Sequence, residues 1–217
     1  MSVGVPELDV CVVSDALDVL GLSGSVAGIR PVWEGSRMSG RVITMKVAIA
    51  RGQRAPRHLG AMAIDLARPG DVIVIEQERI AGELSSATWG GLLSLAAAAR
   101  GIAGVVVDGA CRDIDEIRNL GLPVSAAAVM PFTARRRCVE HSVGEDIVVG
   151  GVTVSTGDQV MADASGVVFI RAADTRKVLQ QAARLMRREE LMARHLRAGR
   201  AASEVLGASY EEMLDAS

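Results

Sequence analysis

Two adjacent residues of opposite charge, Arg112 and Asp113, end the stretch "GVVVDGACRD" and are the side chains best equipped for chemistry in this chain. A guanidinium is a planar fork that grips a carboxylate through two parallel hydrogen bonds. An aspartate is a hard oxygen ligand of the kind Mg²⁺ and Mn²⁺ take. Upstream, Gly90, Gly91, Leu92 and Leu93 open an Ala-rich segment. A helix starting there presents free backbone N–H groups, which make a seat for an anion. The combination suits a small 2-oxo acid. Its carboxylate would sit on Arg112 and the N–H groups, and its 2-oxo oxygen on a metal held by Asp113. A cation on those oxygens stabilises an enolate, the difficult species in cleaving or decarboxylating such acids. A structural reading competes. "DIDE" at 113–116 resembles an N-cap with an acidic residue at N3, close to a capping box. Arg112 would then be an ion-pair partner for Asp108, Asp115 or Glu116, worth little. The residues alone leave both readings open.

The positioning elements follow from periodicity and punctuation. Helical spacing covers 9–20, with Gly21 as a stop, then 58–67 and 91–101. Strands are expected at 40–50, 72–77, 103–109 and 122–129, with "RPGD" a turn before the second and a helix at 114–121. The strand at 103–109 has almost no polar alternation, so both of its faces should be buried. From 145 to 170, short β runs broken by Gly-Gly, Gly-Asp and Ser-Gly read as hairpins. Residues 173–199 form a long charged amphipathic helix, and a small helical tail follows. Strand 72–77, helix 91–101 and strand 103–109 make a β-α-β unit, which is right-handed with parallel strands. Loops 78–90 and 108–113 then leave the same sheet edge, where ligands gather in such folds. That topology brings Gly90–Leu93 opposite Arg112 and Asp113.

Composition bounds the alternatives. The 217 residues are 49% hydrophobic but 2% aromatic, so the core is built from Val, Ala, Leu and Ile. A net charge of −2 gives no electrostatic case for a nucleic-acid partner. The "ARRR" run at 134–137 reads as a solvated face or a subunit contact. Cys11, Cys111 and Cys138 show no CxxC spacing and read as reduced thiols in a cytoplasmic protein. No secretory leader is visible, and no apolar run approaches the ~18 residues of a membrane span. His58, His141 and His195 are scattered, and His58 reads as a structural or surface residue. Cys111 reads as a packed thiol rather than one activated by the neighbouring Arg112. Asp158 and Asp163 read as turn and hydrogen-bonding residues, and Trp89 as pocket wall, core residue or subunit contact.

The segments "VSDALDVLGLSGSVAGIRPVWEGSRMSGRVITMKV", "RPGDVIVI", "WGGLLSLAAAARGIAGVVVDGACRDIDEIRNLGLPVSA" and "VGGVTVSTGDQVMADASGVVFI", in that order and spacing, resemble one family. It includes the regulator of ribonuclease activity A and the 4-hydroxy-4-methyl-2-oxoglutarate aldolases. The resemblance covers nearly the whole chain. It implies an α/β fold, an αββα sandwich, here one RraA-like domain over 1–217 with a C-terminal helical extension from about 173. It also implies a trimer or a dimer of trimers with sites between subunits. In its aldolase branch, Arg112 would hold the carboxylate, Asp113 would anchor Mg²⁺ or Mn²⁺, and Gly90–Leu93 would supply N–H groups. An acidic residue of a neighbour's late helix, Glu189 or Glu190, would approach the metal. The implied activity is a metal-dependent lyase acting through a pyruvate enolate, as aldolase or oxaloacetate decarboxylase. The alternatives are a non-catalytic protein-binding regulator of the ribonuclease-inhibitor type, or a divergent biosynthetic enzyme re-using the enolate site. One departure stands out. The aldolases carry an Asp 21 positions before the Arg, for proton transfer, and here that position is Gly91. Glu76, Glu78 and Glu83 in or beside loop 77–90 are candidate replacements.

Overall fold

The strand "VIVIEQ" is β-branched at four of its six positions and forms β4, Val72–Gln77. Such residues suit a pleated surface buried on both faces. A computed structural model describes residues 8–53 and 58–207. These fall into two compact units, 23–175 and one made of both chain ends.

In the larger unit, short strands β1 (Ser25–Val26) and β2 (Arg30–Pro31) precede β3 (Met38–Ile49), α2 (Ala61–Leu66) and β4. Then come β5 (Ala87–Trp89), α3 (Gly91–Ala99), β6 (Gly104–Cys111), α4 (Ile114–Leu120) and β7 (Val124–Val129). The late β segment supplies β8 (Cys138–Val143), β9 (Ile147–Val149), β10 (Val152–Val154), β11 (Gln159–Asp163) and β12 (Gly166–Ile170). β3, β4, β6 and β7 lie side by side in parallel. Each adjacent pair is joined through one helix, α2, α3 or α4. Ala63 and Ile64 of α2, Leu93 and Ala97 of α3, and Ile117 of α4 pack with Ile73, Ile75, Val105, Val107 and Val124 in one core cluster. The three helices therefore cover one face of the sheet, as crossovers of one hand require. The other face, with Val72, Val74 and Val106, packs against Ile147, Val149, Val154, Val160 and Phe169 of the late β segment. The sheet continues from β3 through antiparallel β11 and β12.

The smaller unit contains α1 (Val10–Val19), the length of α5 (Thr175–Arg197) from Arg176 on, and α6 (Ala202–Val205). Asp9 caps α1, its Oδ1 accepting from Val12 N at 2.8 Å, and Gly21 follows the helix with φ +65°. The α5 helix buries Val178, Ala182, Leu185 and Met192 on one stripe. The expected helical tail is α6; the rest of it lies outside the described residues.

Three expectations need correction. The helix expected over 58–67 is a single six-residue segment, α2, preceded by Gly60 at φ +81°. The strand expected to end at 109 runs to Cys111, buried throughout. Residues 87–89, expected in a loop, are β5, which pairs in parallel with the end of β6. Gly40 shows how tightly the sheet meets its turns. A Cβ there would collide with the Gly70 carbonyl oxygen and stand 3.0 Å from Val72 Cγ2. Its obstruction is backbone and cannot swing aside. Gly40→Ala is expected to destabilise the protein by about 1–3 kcal/mol, read as a lower urea midpoint at unchanged slope.

Candidate active site

The Arg-Asp pair is delivered by a strand that is bent at its end. Pairing of β6 with β7 shifts register between Val107 and Ala110. Gly109 lies in this stretch, and a side chain there would collide with Gln77. Gln77 is fully buried and its amide is well partnered. Its Oε1 accepts from Ala110 N (3.0 Å) and Thr88 Oγ1 (3.3 Å), and its Nε2 donates to Ser86 O (2.8 Å). One amide thus ties β4, β5 and β6 together at the edge where the loops emerge. Asp108 faces the other way. It accepts from Arg79 Nη2 at 2.6 Å and from Gly150 N at 2.8 Å.

β5 brings Gly90 and Gly91 beside the end of β6. Arg112 N donates to Trp89 O at 3.0 Å. Trp89 is buried, and its Nε1 donates to Ser94 Oγ at 2.8 Å, inside α3. It is a core residue rather than a pocket wall. Gly90 is extended, at φ −167°, so space rather than backbone freedom selects glycine. A Cβ on it would stand 2.7 Å from Asp113 Oδ2 and 3.1 Å from Arg112 Cγ.

Asp113 occupies the N-cap position of α4, but its side chain makes no cap hydrogen bond there. Its Oδ2 accepts instead from Gly91 N at 2.9 Å, the first N–H of α3. The capping-box reading is thus overturned: Asp113 caps a different helix. Its backbone is left-handed, φ +61° and ψ +42°, a conformation that aspartate tolerates better than most residues. Arg112 Nε lies 3.3 Å from the same Oδ2. The surface partners once open to Arg112 are taken, Asp108 by Arg79 and Asp115 by Arg118 at 2.8 Å. The two terminal guanidinium nitrogens meet no carboxylate among the described residues. The Arg112 side chain is 40% exposed, so its fork opens to solvent. At the start of α3, the Leu92 and Leu93 N–H groups lack helical acceptors by position. The Leu92 side chain is 77% exposed, whereas Leu93 joins the core.

The structure thus gathers Gly90, Gly91, Leu92, Leu93, Arg112 and Asp113. It adds one group that sequence reasoning did not single out for this role. A Cβ on Gly91 would collide with Glu116 Oε2 and stand 2.8 Å from Glu116 Cδ. The Glu116 carboxylate therefore lies over Gly91. The glutamates named from loop 77–90 are engaged elsewhere. Glu76 pairs with Lys46 and accepts from Val148 N, on the face away from the helices. Glu78 accepts from Ile49 N and from Arg51, and these bonds hold its pKa below the usual carboxylate value. Glu83 lies on a tight turn facing Ile80 and is exposed.

The remaining candidates sort plainly. Glu189 and Glu190 line a groove on α5 with Met186, Arg194 and Arg197. Burial first, then the charges of Asp15 and Asp9, raise the Glu189 pKa, against a lowering by Arg188. Asp158 accepts from Ser155 N and Ala172 N, and Asp163 from Ser165 N, as turn residues do. Near His58, Nδ1 lies 2.9 Å from Leu59 O, on the surface. The three arginines at 135–137 are exposed, and Arg137 sits 5.9 Å over the Phe132 ring.

The fold agrees with known proteins. The sequence model of the RraA-like family, described as Aldolase/RraA, matches residues 10–169. The chain belongs to that family. It is 34% identical over 170 residues to a Halalkalibacterium halodurans protein named "Putative 4-hydroxy-4-methyl-2-oxoglutarate aldolase", covering 78% of this chain and 76% of that one. It is 31% identical over 158 residues to Protein DlpA of Legionella pneumophila, covering 73% of this chain but only 25% of that longer protein. The crystal structure of an uncharacterized Pseudomonas syringae protein superposes with a TM-score of 0.80 at 28% identity, covering 92% of each chain. Among the described residues, no helix of this RraA-like chain is long and apolar enough to cross a membrane.

Cys111, beside Arg112, is the packed thiol expected from the sequence. Burial, aided by the Asp113 charge, pushes its thiol from the ordinary 9.0 up to about 12. Arg112 does not activate it. Cys11 is exposed, while Cys111 and Cys138 are buried. Iodoacetamide at pH 8 should therefore alkylate Cys11 in the folded protein and reach Cys111 only after denaturation, as mass spectrometry of the peptides would show. The native thiol holds its proton where the unfolded one loses it. Its contribution to stability is therefore complete below about pH 9 and is lost as pH rises toward 12.

Proposed function

We propose that this protein is a divalent-metal-dependent lyase that forms a pyruvate enolate from small 2-oxo acids. The observation that carries the reading is the open guanidinium fork of Arg112, held beside Asp113 at the N-terminus of α3. A fork whose two terminal nitrogens meet no carboxylate among the described residues, facing solvent next to free N–H groups, suits the carboxylate end of a small acid. Arg112 would bind and orient that carboxylate. The Leu92 and Leu93 N–H groups would share its charge.

The donor set fits Mg²⁺ or Mn²⁺ rather than a closed structural site. Among the described residues no group of three or more His, Cys, Asp or Glu side chains converges. Mg²⁺ typically binds through one or two carboxylates and fills its shell with water and substrate oxygens. Asp113 offers that carboxylate: Oδ2 is fixed by Gly91 N, and Oδ1 has no protein donor among the described residues. When bound, the ion would supply positive charge to the 2-oxo oxygen. Asp113, fixed by a neighbouring helix, would keep its position without reorganisation. We further propose that Glu189 or Glu190 of a second copy completes the site in a homotrimer or hexamer.

The purified protein is expected to release pyruvate from oxaloacetate or from 4-hydroxy-2-oxo acids with Mg²⁺ or Mn²⁺, and to stop on chelation. If no pyruvate appears with any metal while a control enzyme works, the reading fails. Tight binding to a ribonuclease E-type partner in that case would favour the regulator alternative. In an active protein, Arg112→Ala should lower kcat/KM by about 100-fold or more, because two charge-assisted hydrogen bonds of about 1.5–3 kcal/mol each are lost. Arg112→Lys keeps the charge but loses the fork, so it should recover only part of this. Full activity in Arg112→Ala would refute the assignment of Arg112.

A further inference from the structure

A second cavity, of about 650 Å³, opens on the side of the sheet that faces the late β segment. It is lined by the ends of β4, β6 and β7, by the loop between β1 and β2, and by the β9–β10 hairpin. Glu76 and Asp108 are register partners on β4 and β6, so their side chains leave the same face. Val106, two residues before Asp108, packs on the late β segment, which fixes that face as the one opposite the helices. The cavity therefore shares no side chain with the Arg112–Asp113 patch. Its volume falls in the range of small-molecule sites.

The charges around it decide what it can take. Among the described residues three carboxylates line the cavity, and all six of their oxygens are engaged. Glu76 accepts from Val148 N at 2.8 Å through Oε2 and pairs with Lys46 at 3.1 Å through Oε1. Glu78 accepts from Ile49 N at 2.9 Å and from Arg51 Nη2 at 2.6 Å. Asp108 accepts from Gly150 N and from Arg79 Nη2. Each carboxylate thus has one cation and one backbone donor. None is left bare to draw in an amine or a metal ion. Arg79, which also lines the cavity, is different. A guanidinium carries five N–H donors. Its bond to Asp108 is the one polar contact it makes among the described residues, and its side chain is 34% exposed. Unused hydrogen-bonding capacity on a lining charge therefore rests with a cation. Ile29, Ala127 and Val148 add apolar surface, and Val148 is half-exposed.

We infer that this cavity is a second binding site, for a small carboxylic acid with a short apolar body. The carboxylate takes unused N–H groups of Arg79, in the charge-assisted geometry that a guanidinium offers. Arg79 keeps its bond to Asp108 and bridges the two carboxylates, so no charge is left unpaired when the acid enters. The apolar body lies against Ile29, Ala127 and Val148 and removes part of the Val148 side chain from water. The inference does not rest on the lyase reading, because neither Arg112 nor Asp113 takes part.

The test first removes the other acid seat. In the Arg112→Ala protein, titration calorimetry with 4-methylpentanoate is expected to show one equivalent bound per chain, with a Kd of about 1 mM or tighter. Ala127→Leu in that background leaves every charge in place and fills part of the cavity. It is expected to weaken binding at least about 10-fold by steric conflict. Arg79→Gln should weaken binding about 10-fold or more, through loss of the charge-assisted hydrogen bonds. That change also unpairs Asp108, so if its melting temperature falls, the Ala127→Leu result decides. Two further probes check the ligand class. The 3-methylbutylammonium ion has the same apolar body with the opposite charge, and inorganic phosphate has the negative charge without the body. Both are expected to bind at least about 10-fold more weakly than the acid. No binding by the Arg112→Ala protein up to about 10 mM acid overturns the inference. So does binding that Ala127→Leu leaves unchanged. An ammonium ion that binds as tightly as the acid overturns the assignment of an anion, and phosphate that does so overturns the apolar body. A protein that releases no pyruvate in the lyase assay leaves a positive result here standing.

Discussion

The bond from Gly91 N to Asp113 Oδ2 decides how the candidate site is built. It joins the start of one helix to the residue that introduces the next, on two adjacent crossovers of the sheet. An aspartate just before a helix ordinarily turns inward to cap its own first turn. Here the left-handed backbone at Asp113 aims the carboxylate across to α3 instead. The α4 N-terminus loses its own side-chain cap, and Asp115 and Glu116 in its first turn supply negative charge in compensation. A position that breaks a local rule in order to satisfy a distant one is characteristic of functional edges.

Everything beneath that bond serves to hold two loops in register. Gln77 does so from β4, through Ala110 N, Thr88 and the Ser86 carbonyl. Trp89 does so from β5, by reaching into the first turn of α3 through Ser94. Both are buried, and both polar groups are satisfied. Gly90 directly follows Trp89, and one residue separates Arg112 from Ala110, so both are held close to these anchors. A site on such a support needs little reorganisation when charge develops on a bound acid, which is the condition for electrostatic stabilisation to be effective.

Much of the fold was legible because its signals are local. β4 matches its expected bounds, and β7, α3 and α4 start within two residues of theirs, since β-branched runs and flanking Gly or Pro mark them. The shared edge of Gly90–Gly91 and Arg112–Asp113 was legible too, from the order of elements and the handedness of crossovers. β5 was not, because "ATW" is too short to show a period and forms only by pairing with β6. The expected strand stopped at Gly109, two residues short of the end of β6. In the fold Asp108 is satisfied by Arg79 and Gly150, and Gly109 stays in the strand to admit Gln77. The smaller unit, made from both chain ends, leaves no break in composition for a linear reading to find.

The least legible feature was the place of Glu116. From the sequence it is an ordinary acidic residue early in a helix, and one face of that helix was as plausible for it as another. What fixes it is a missing side chain 25 positions earlier. Gly90 and Gly91 look like a flexible pair, yet neither has a positive φ, so neither is there for backbone freedom. Each is there for room: Gly90 for Asp113 and Arg112, Gly91 for Glu116. Substituting an acidic side chain at 91 would place a carboxylate at this patch from α3, whereas leaving it bare lets α4 supply one. A glycine therefore does not by itself mean empty space. The space it leaves has to be followed to whichever side chain enters it.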